Sequence, residues 1–136
     1  MNLRSNYRSN SRILAMVAIA FAGCSDANVI GPMNQLEIAN NPGAFEWQVI
    51  ALDQVTQTLT YSWSNPGTEA TVNQASSLGG GAASVRITDA AGAEVYSRSL
   101  SENGGFQTTT GTTGTWRITV TLDGATGALN FRVESP

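Results

Sequence analysis

The sequence predicts an all-β domain, an antiparallel β-sandwich of about seven or eight strands, and three observations carry the prediction. From Asn34 onward apolar residues recur with a period of two, the mark of strands with one face buried. Turn signals interrupt this pattern at short intervals, at Asn40-Asn41-Pro42-Gly43, Asn65-Pro66-Gly67 and Asp89-Ala90-Ala91-Gly92. The composition after Cys24 favours Thr, Ser, Gly and Val over the Leu, Glu, Lys and Gln that stabilise helices. A parallel sheet would need crossover helices of about a dozen residues, and no helical period accompanies the strands.

Taken in order, the apolar phase runs through Leu36 and Ile38, then Phe45, Trp47 and Val49, then Leu59, Tyr61 and Trp63. Ala70 and Val72 follow, and Gly79-Gly80-Gly81 reads as a flexible surface turn, since no Lys-Ser/Thr ending makes it a phosphate loop. Val85 and Ile87 alternate with Arg86 and Thr88, and a strand is expected around Glu94–Leu100. Thr108–Thr115 reads as an exposed loop or sheet edge. Trp116, Ile118, Val120 and Leu122 then alternate with polar neighbours, as do Leu129, Phe131 and Val133 after an expected turn over Asp123–Ala128. Setting Leu122 against Leu129 places Val120 opposite Phe131, Ile118 opposite Val133 and Arg117 opposite Glu134. Apolar meets apolar and charge meets countercharge, so a closing hairpin in this register is expected.

The amino-terminal stretch is of a different kind. Residues 1–12 carry Arg4, Arg8 and Arg12 and no acid, and Ile13–Ala22 are ten consecutive apolar residues followed by Gly23 and Cys24. A basic segment, a short apolar run and small residues form the pattern of a secretory signal peptide, here a helix over residues 1–23. Ten helical residues reach about 15 Å, half of the ~30 Å hydrocarbon thickness, so this is not an ordinary transmembrane span. Phe21-Ala22-Gly23-Cys24 resembles the lipobox of bacterial lipoproteins, with Phe21 in place of the usual aliphatic residue. The resemblance implies cleavage between Gly23 and Cys24, diacylglycerol on the Cys24 thiol and a chain anchored to the membrane through that lipid. Ser25, rather than Asp, directly after the cysteine favours the outer over the inner membrane in that family. The expected organisation is therefore a signal peptide over 1–23, the lipidated cysteine and a tether with a Gly31-Pro32 break over 24–33, and the sandwich over 34–136.

The later stretches, SVRITDAAGAEVYS and then GTWRITVTLDGATGALNFRVE, resemble bacterial pre-peptidase C-terminal domains and similar jelly-roll modules. Gly114 and Trp116 match the glycine–aromatic pair before the penultimate strand of those modules, and Phe131 and Val133 match their last strand. The resemblance implies a small accessory domain without an active site.

The chemistry available to the chain is narrow. It has 136 residues, enough for one domain, with seven arginines, no lysine and no histidine. All ten acids follow Cys24, and the acidic balance there argues against nucleic acid, which would call for a basic stripe. Triad chemistry has no imidazole, and zinc has neither the cysteines nor the histidines it needs. Asp89, Glu94, Asp123 and Glu134 are the acids available for paired-carboxylate catalysis, and they read as solvated turn acids. No calcium-loop spacing occurs, so no metal or cofactor is expected. One cysteine allows no internal disulfide.

Most aromatics fall in the apolar phase of their strands and belong to the core. Tyr96 is out of phase with Val95, and Phe106 sits in a glycine-flanked loop, so these two are the candidates for exposed ligand contact. The expectation is a non-enzymatic, lipid-anchored binding or scaffolding module of the cell envelope with a protein or polysaccharide partner. The alternative is a carbohydrate-binding module that uses Tyr96 and Phe106.

Overall fold

The computed structural model describes residues Asn28–Pro136. The expected signal-peptide helix, Gly23 and Cys24 lie outside the described residues. The fold is all-β, as the periodicity predicts: β1 (Glu37–Asn41), β2 (Ala44–Asn65), β3 (Thr71–Gln74), β4 (Ser77–Thr88), β5 (Glu94–Ser99), β6 (Gly104–Gln107) and β7 (Gly114–Glu134), every pairing antiparallel.

Two long strands organise the rest. β2 and β7 pair along their whole length, from Ala44 opposite Glu134 to Asn65 opposite Gly114. Near the middle the register slips three times, between Val49 and Gln57, where Ala51 and Gln54 take left-handed backbone conformations. Such bulges bend a ladder sharply. Here they fold β2 back on itself: Gly43 N–H donates to Ser64 O at 2.9 Å, and Trp63 Nε1 donates to Asn41 O at 2.9 Å. The sheet thereby becomes a sandwich with one creased end and one open end. One layer holds β1, the first half of β2, the second half of β7, β3 and β6. The other holds the second half of β2, the first half of β7, the later part of β4, and β5.

The predicted apolar phases from Phe45 onward fill the space between the layers, whereas Ile38, expected in an apolar phase, lies on the edge strand β1 and is exposed. Phe45, Trp47, Val49, Trp63, Val72, Val85, Ile87, Trp116, Ile118, Val120, Phe131 and Val133 are all buried. Trp47 and Tyr61, from opposite halves of β2, meet across the core through an indole N–H to hydroxyl bond of 2.9 Å. Phe45 lies 5.5 Å from the Tyr61 ring, and Trp63 meets Trp116 edge to face at 6.0 Å. Each such side chain contributes about 1.5–3 kcal/mol through burial.

Three expectations are corrected. The closing hairpin does not exist: residues 114–134 form one strand, in which Ile118 pairs with Tyr61 and Ile87, and Phe131 pairs with Trp47 and Gln74. Asp123–Ala128 is the crease of β7, where glycine and a reset of phase serve a bend between layers instead of a reversal. Gly79-Gly80-Gly81 is part of β4 and crosses the same crease. A Cβ on Gly81 would overlap the Gly124 carbonyl, so close packing of two backbones requires this glycine. Within Thr108–Thr115, Thr108 is buried and its Oγ1 accepts from Ala70 N–H at 3.0 Å.

The stretch expected to be a tether is docked over its described part. Asn28 Nδ2 donates to Asp53 O and Gln54 O at 2.9 and 3.1 Å, and Asn28 O accepts from Thr56 N–H at 3.0 Å. Pro32–Asn34 forms a 3-10 turn, and the buried Asn34 donates through Nδ2 to Ile50 O and Ala51 O at 3.0 and 2.9 Å. These carbonyls are the ones that the bulges of β2 release from the ladder. The segment docks there because the crease needs donors.

Candidate functional site

The outer face of the five-stranded layer carries a row of paired polar side chains. It follows from strand alternation: Phe45, Trp47 and Val49 of β2 and Leu129, Phe131 and Val133 of β7 turn inward, so Glu46, Gln48, Asn130, Arg132 and Glu134 turn outward. The β2–β7 register then sets Gln48 beside Asn130 and Glu46 beside Arg132. Asn130 Nδ2 donates to Gln48 Oε1 at 3.1 Å. Arg132 forms ion pairs with Glu46 and, at 3.5 Å, with Glu134. Hydrogen bonding to Glu46 holds the guanidinium pKa above its already high ordinary value. Glu46, Gln48, Asn130 and Arg132, with Glu37 of β1, line a depression of about 230 Å³.

This arrangement is a strip of hydrogen-bond donors and acceptors in which Arg132 engages two of the carboxylates. Its two flanking carboxylates, Glu46 and Glu134, have a guanidinium between them, where a glycosidase would need room for a sugar ring and water. The other acids considered from the sequence serve elsewhere. Glu94 pairs with Arg86 at 2.6 Å, and Asp123 lies at the crease opposite Ala82. Asp89 is not a solvated turn acid. It is buried, with Oδ1 accepting from Ala91 and Ala93 N–H at 3.0 and 2.8 Å and Oδ2 from Thr112 N–H at 2.8 Å. These bonds, that from Thr112 foremost, lower its pKa below the usual carboxylate value.

Tyr96 and Phe106 are brought together, though not as an exposed aromatic pair. Tyr96 is only 6% exposed, which corrects the exposure expected of it. The register shift between Ile87 and Thr88 opposite it makes a bulge in β5, so the consecutive Val95 and Tyr96 are both buried. The Tyr96 hydroxyl donates to Gln74 Oε1 at 2.7 Å. Burial raises its pKa, against the opposing effect of Arg98. Phe106 is half-buried, and its ring is covered by the Arg98 guanidinium, 3.8 Å from the ring centroid. Arg98 also pairs with Glu102 at 2.9 Å. The polar strip went unrecognised from sequence: each residue is visible as the outward phase of a strand, but their adjacency depends on pairing between distant segments.

No protein family and no curated protein matches the chain. Among solved structures, the accessory secretory proteins 1, 2 and 3 of Streptococcus pneumoniae match over 77% of this chain and 88% of that one, with 13% identity and a TM-score of 0.37. TmCBM61 in complex with β-1,4-galactotriose matches over 82% and 86%, with 15% identity and a TM-score of 0.40. The glycosylation associate protein complex of Streptococcus agalactiae matches over 81% and 42%, with 11% identity and a TM-score of 0.41.

Proposed function

We propose that the protein is a non-catalytic binding module of the cell envelope, held by lipid on Cys24, that takes a neutral, hydroxyl-rich polymer on the outer face of its five-stranded layer. The observation that carries the ligand class is the row Gln48–Asn130 and Glu46–Arg132–Glu134. Amides, carboxylates and a guanidinium fixed in one plane match the alternating donors and acceptors of a polysaccharide. Two carboxylates, Glu46 and Glu134, neutralise the one guanidinium, and Glu37 lines the same depression, so the face disfavours polyanions such as nucleic acid. The lipobox-like Phe21-Ala22-Gly23-Cys24 supports the anchor, and the absence of lysine and histidine supports the non-catalytic reading.

Affinity electrophoresis through gels of neutral polysaccharides tests the ligand. Retardation by at least one of them, lost on Gln48→Ala with Arg132→Ala, is expected; no retardation by any gel removes the saccharide reading. Mass spectrometry of the mature amino terminus tests the anchor, because lipid on Cys24 adds the mass of its acyl chains.

A further inference from the structure

We infer that the creased end of the sandwich is the end that rests on the bilayer, with Val29 and Met33 seated in the interfacial zone of a zwitterionic lipid surface. The inference rests on the lipidation of Cys24 proposed above. It adds an orientation that lipidation alone does not require, since a long flexible tether would let the domain tumble.

Covalent reach is the first argument. Four peptide units separate Cys24 from Asn28, so the two Cα atoms lie within about 14 Å of each other whatever the path between them. Asn28 is held at the crease by three hydrogen bonds, to Asp53 O, Gln54 O and Thr56 N–H. The lipid therefore attaches close to one end of a rigid body.

The exposed apolar side chains make the second argument. Among the described residues, the large hydrophobics left exposed are Val29 (50%), Met33 (81%) and Ile38 (41%). Two of the three lie on the docked segment. Its inward positions are Ile30, which packs on the core, and Asn34, which caps the crease carbonyls. Val29 and Met33 thus occupy the outward side of the segment that carries the anchor. Such side chains are ordinary singly, but an apolar pair beside a lipid attachment has a surface to meet.

Charge selects the kind of surface. The crease brings Asp53 and Asp123, whereas Arg86, Arg98, Arg117 and Arg132 are carried by the strands between the two ends. An acidic end gains nothing from anionic headgroups, so the lipid anchor and the two apolar side chains fix the orientation. The turns at Asn65–Gly67 and Asp89–Gly92 then form the far end, and the polar strip runs along the side between them.

The test uses the full lipidated chain in phosphatidylcholine vesicles. Acylation occupies the Cys24 thiol, so Met33→Cys and, separately, Ala91→Cys at the far end each offer a single thiol for an environment-sensitive fluorophore. Lipids bearing a quencher in the upper acyl chain should quench the Met33 position several-fold more than the Ala91 position. Equal quenching in protein that floats with the vesicles, or stronger quenching at Ala91, overturns the orientation alone. An unmodified Cys24 thiol in the mass spectrum of the same preparation overturns both the orientation and the anchor. Val29→Ser with Met33→Ser, placed beneath a probe at Pro32→Cys, should abolish the difference while flotation persists; a difference that survives overturns the role given to these two side chains.

Discussion

The Tyr96 hydroxyl donates to Gln74 Oε1 at 2.7 Å, joining β5 of one layer to β3 of the other along a flank of the sandwich. Gln74 completes the closure through Nε2, which donates to Ser99 O at 2.9 Å and Glu102 O at 2.6 Å. Tyr96→Phe removes one bond and should cost about 1 kcal/mol. Gln74→Leu strands the buried hydroxyl and the Glu102 carbonyl, while Ser99 O keeps the Glu102 N–H, and should cost more, about 2–3 kcal/mol, because unpaired groups carry their own desolvation penalty. Urea denaturation of both variants checks the ranking, and equal losses would remove Gln74 from this role.

Two glycines with similar backbone angles should respond differently to alanine. Gly81 has φ +70° with the Gly124 backbone against the site of its missing Cβ, whereas Gly92 has φ +86° and open space. Gly92→Ala should cost only the left-handed penalty, about 1–2 kcal/mol. Gly81→Ala adds a backbone collision at the crease and should cost about 4 kcal/mol or more. Thermal melts of the two variants give the comparison.

Asp89 makes the stability of the open end depend on pH. Its folded pKa is lowered by the hydrogen bonds from Thr112, Ala93 and Ala91. The contribution is therefore complete above the unfolded aspartate value of about 3.9 and is lost as pH falls from there through the folded value. In Asp89→Asn an amide replaces the acceptor facing Thr112 N–H. This variant should be less stable at neutral pH, and its urea midpoint should fall less than the parent's on acidification to about pH 3.

The polar strip should be separable from the fold. Its ion pairs are about half exposed, so Arg132→Ala should change stability by less than about 1 kcal/mol. The same substitution should weaken retention by any polysaccharide that binds. A variant that melts like the parent and is retained like the parent would place the ligand elsewhere.

The fold class was legible because alternation reports burial locally, and the inward phases of β2, β4 and β7 all lie where the period of two puts them. The creases were misread for a physical reason. A strand that bends from one layer into the other resets its phase and needs glycine, as a hairpin does, so Asp123–Ala128 and Gly79–Gly81 gave turn signals. Only pairing separates the two cases, and Ala44 opposite Glu134 is invisible in any local window. The same limit hid the strip. For Tyr96, the phase slip beside Val95 was visible, but it signalled a bulge with both side chains buried, not an exposed ring. The docking of Asn28 and Asn34 was equally hidden, because the carbonyls that they cap exist only once β2 is bulged.

The pairing of β2 with β7 also sets when the domain can form. The layers share these two strands, one early and one late in the chain, so the core stays open until β7 has been synthesised and has found its partner. Folds dominated by such distant contacts form slowly, on the order of milliseconds to seconds. During that interval only the sequence-adjacent pairs, β1 with the start of β2 and β4 with β5, have their partners at hand. Neither pair buries the core alone, because each needs a half of β7 beside it.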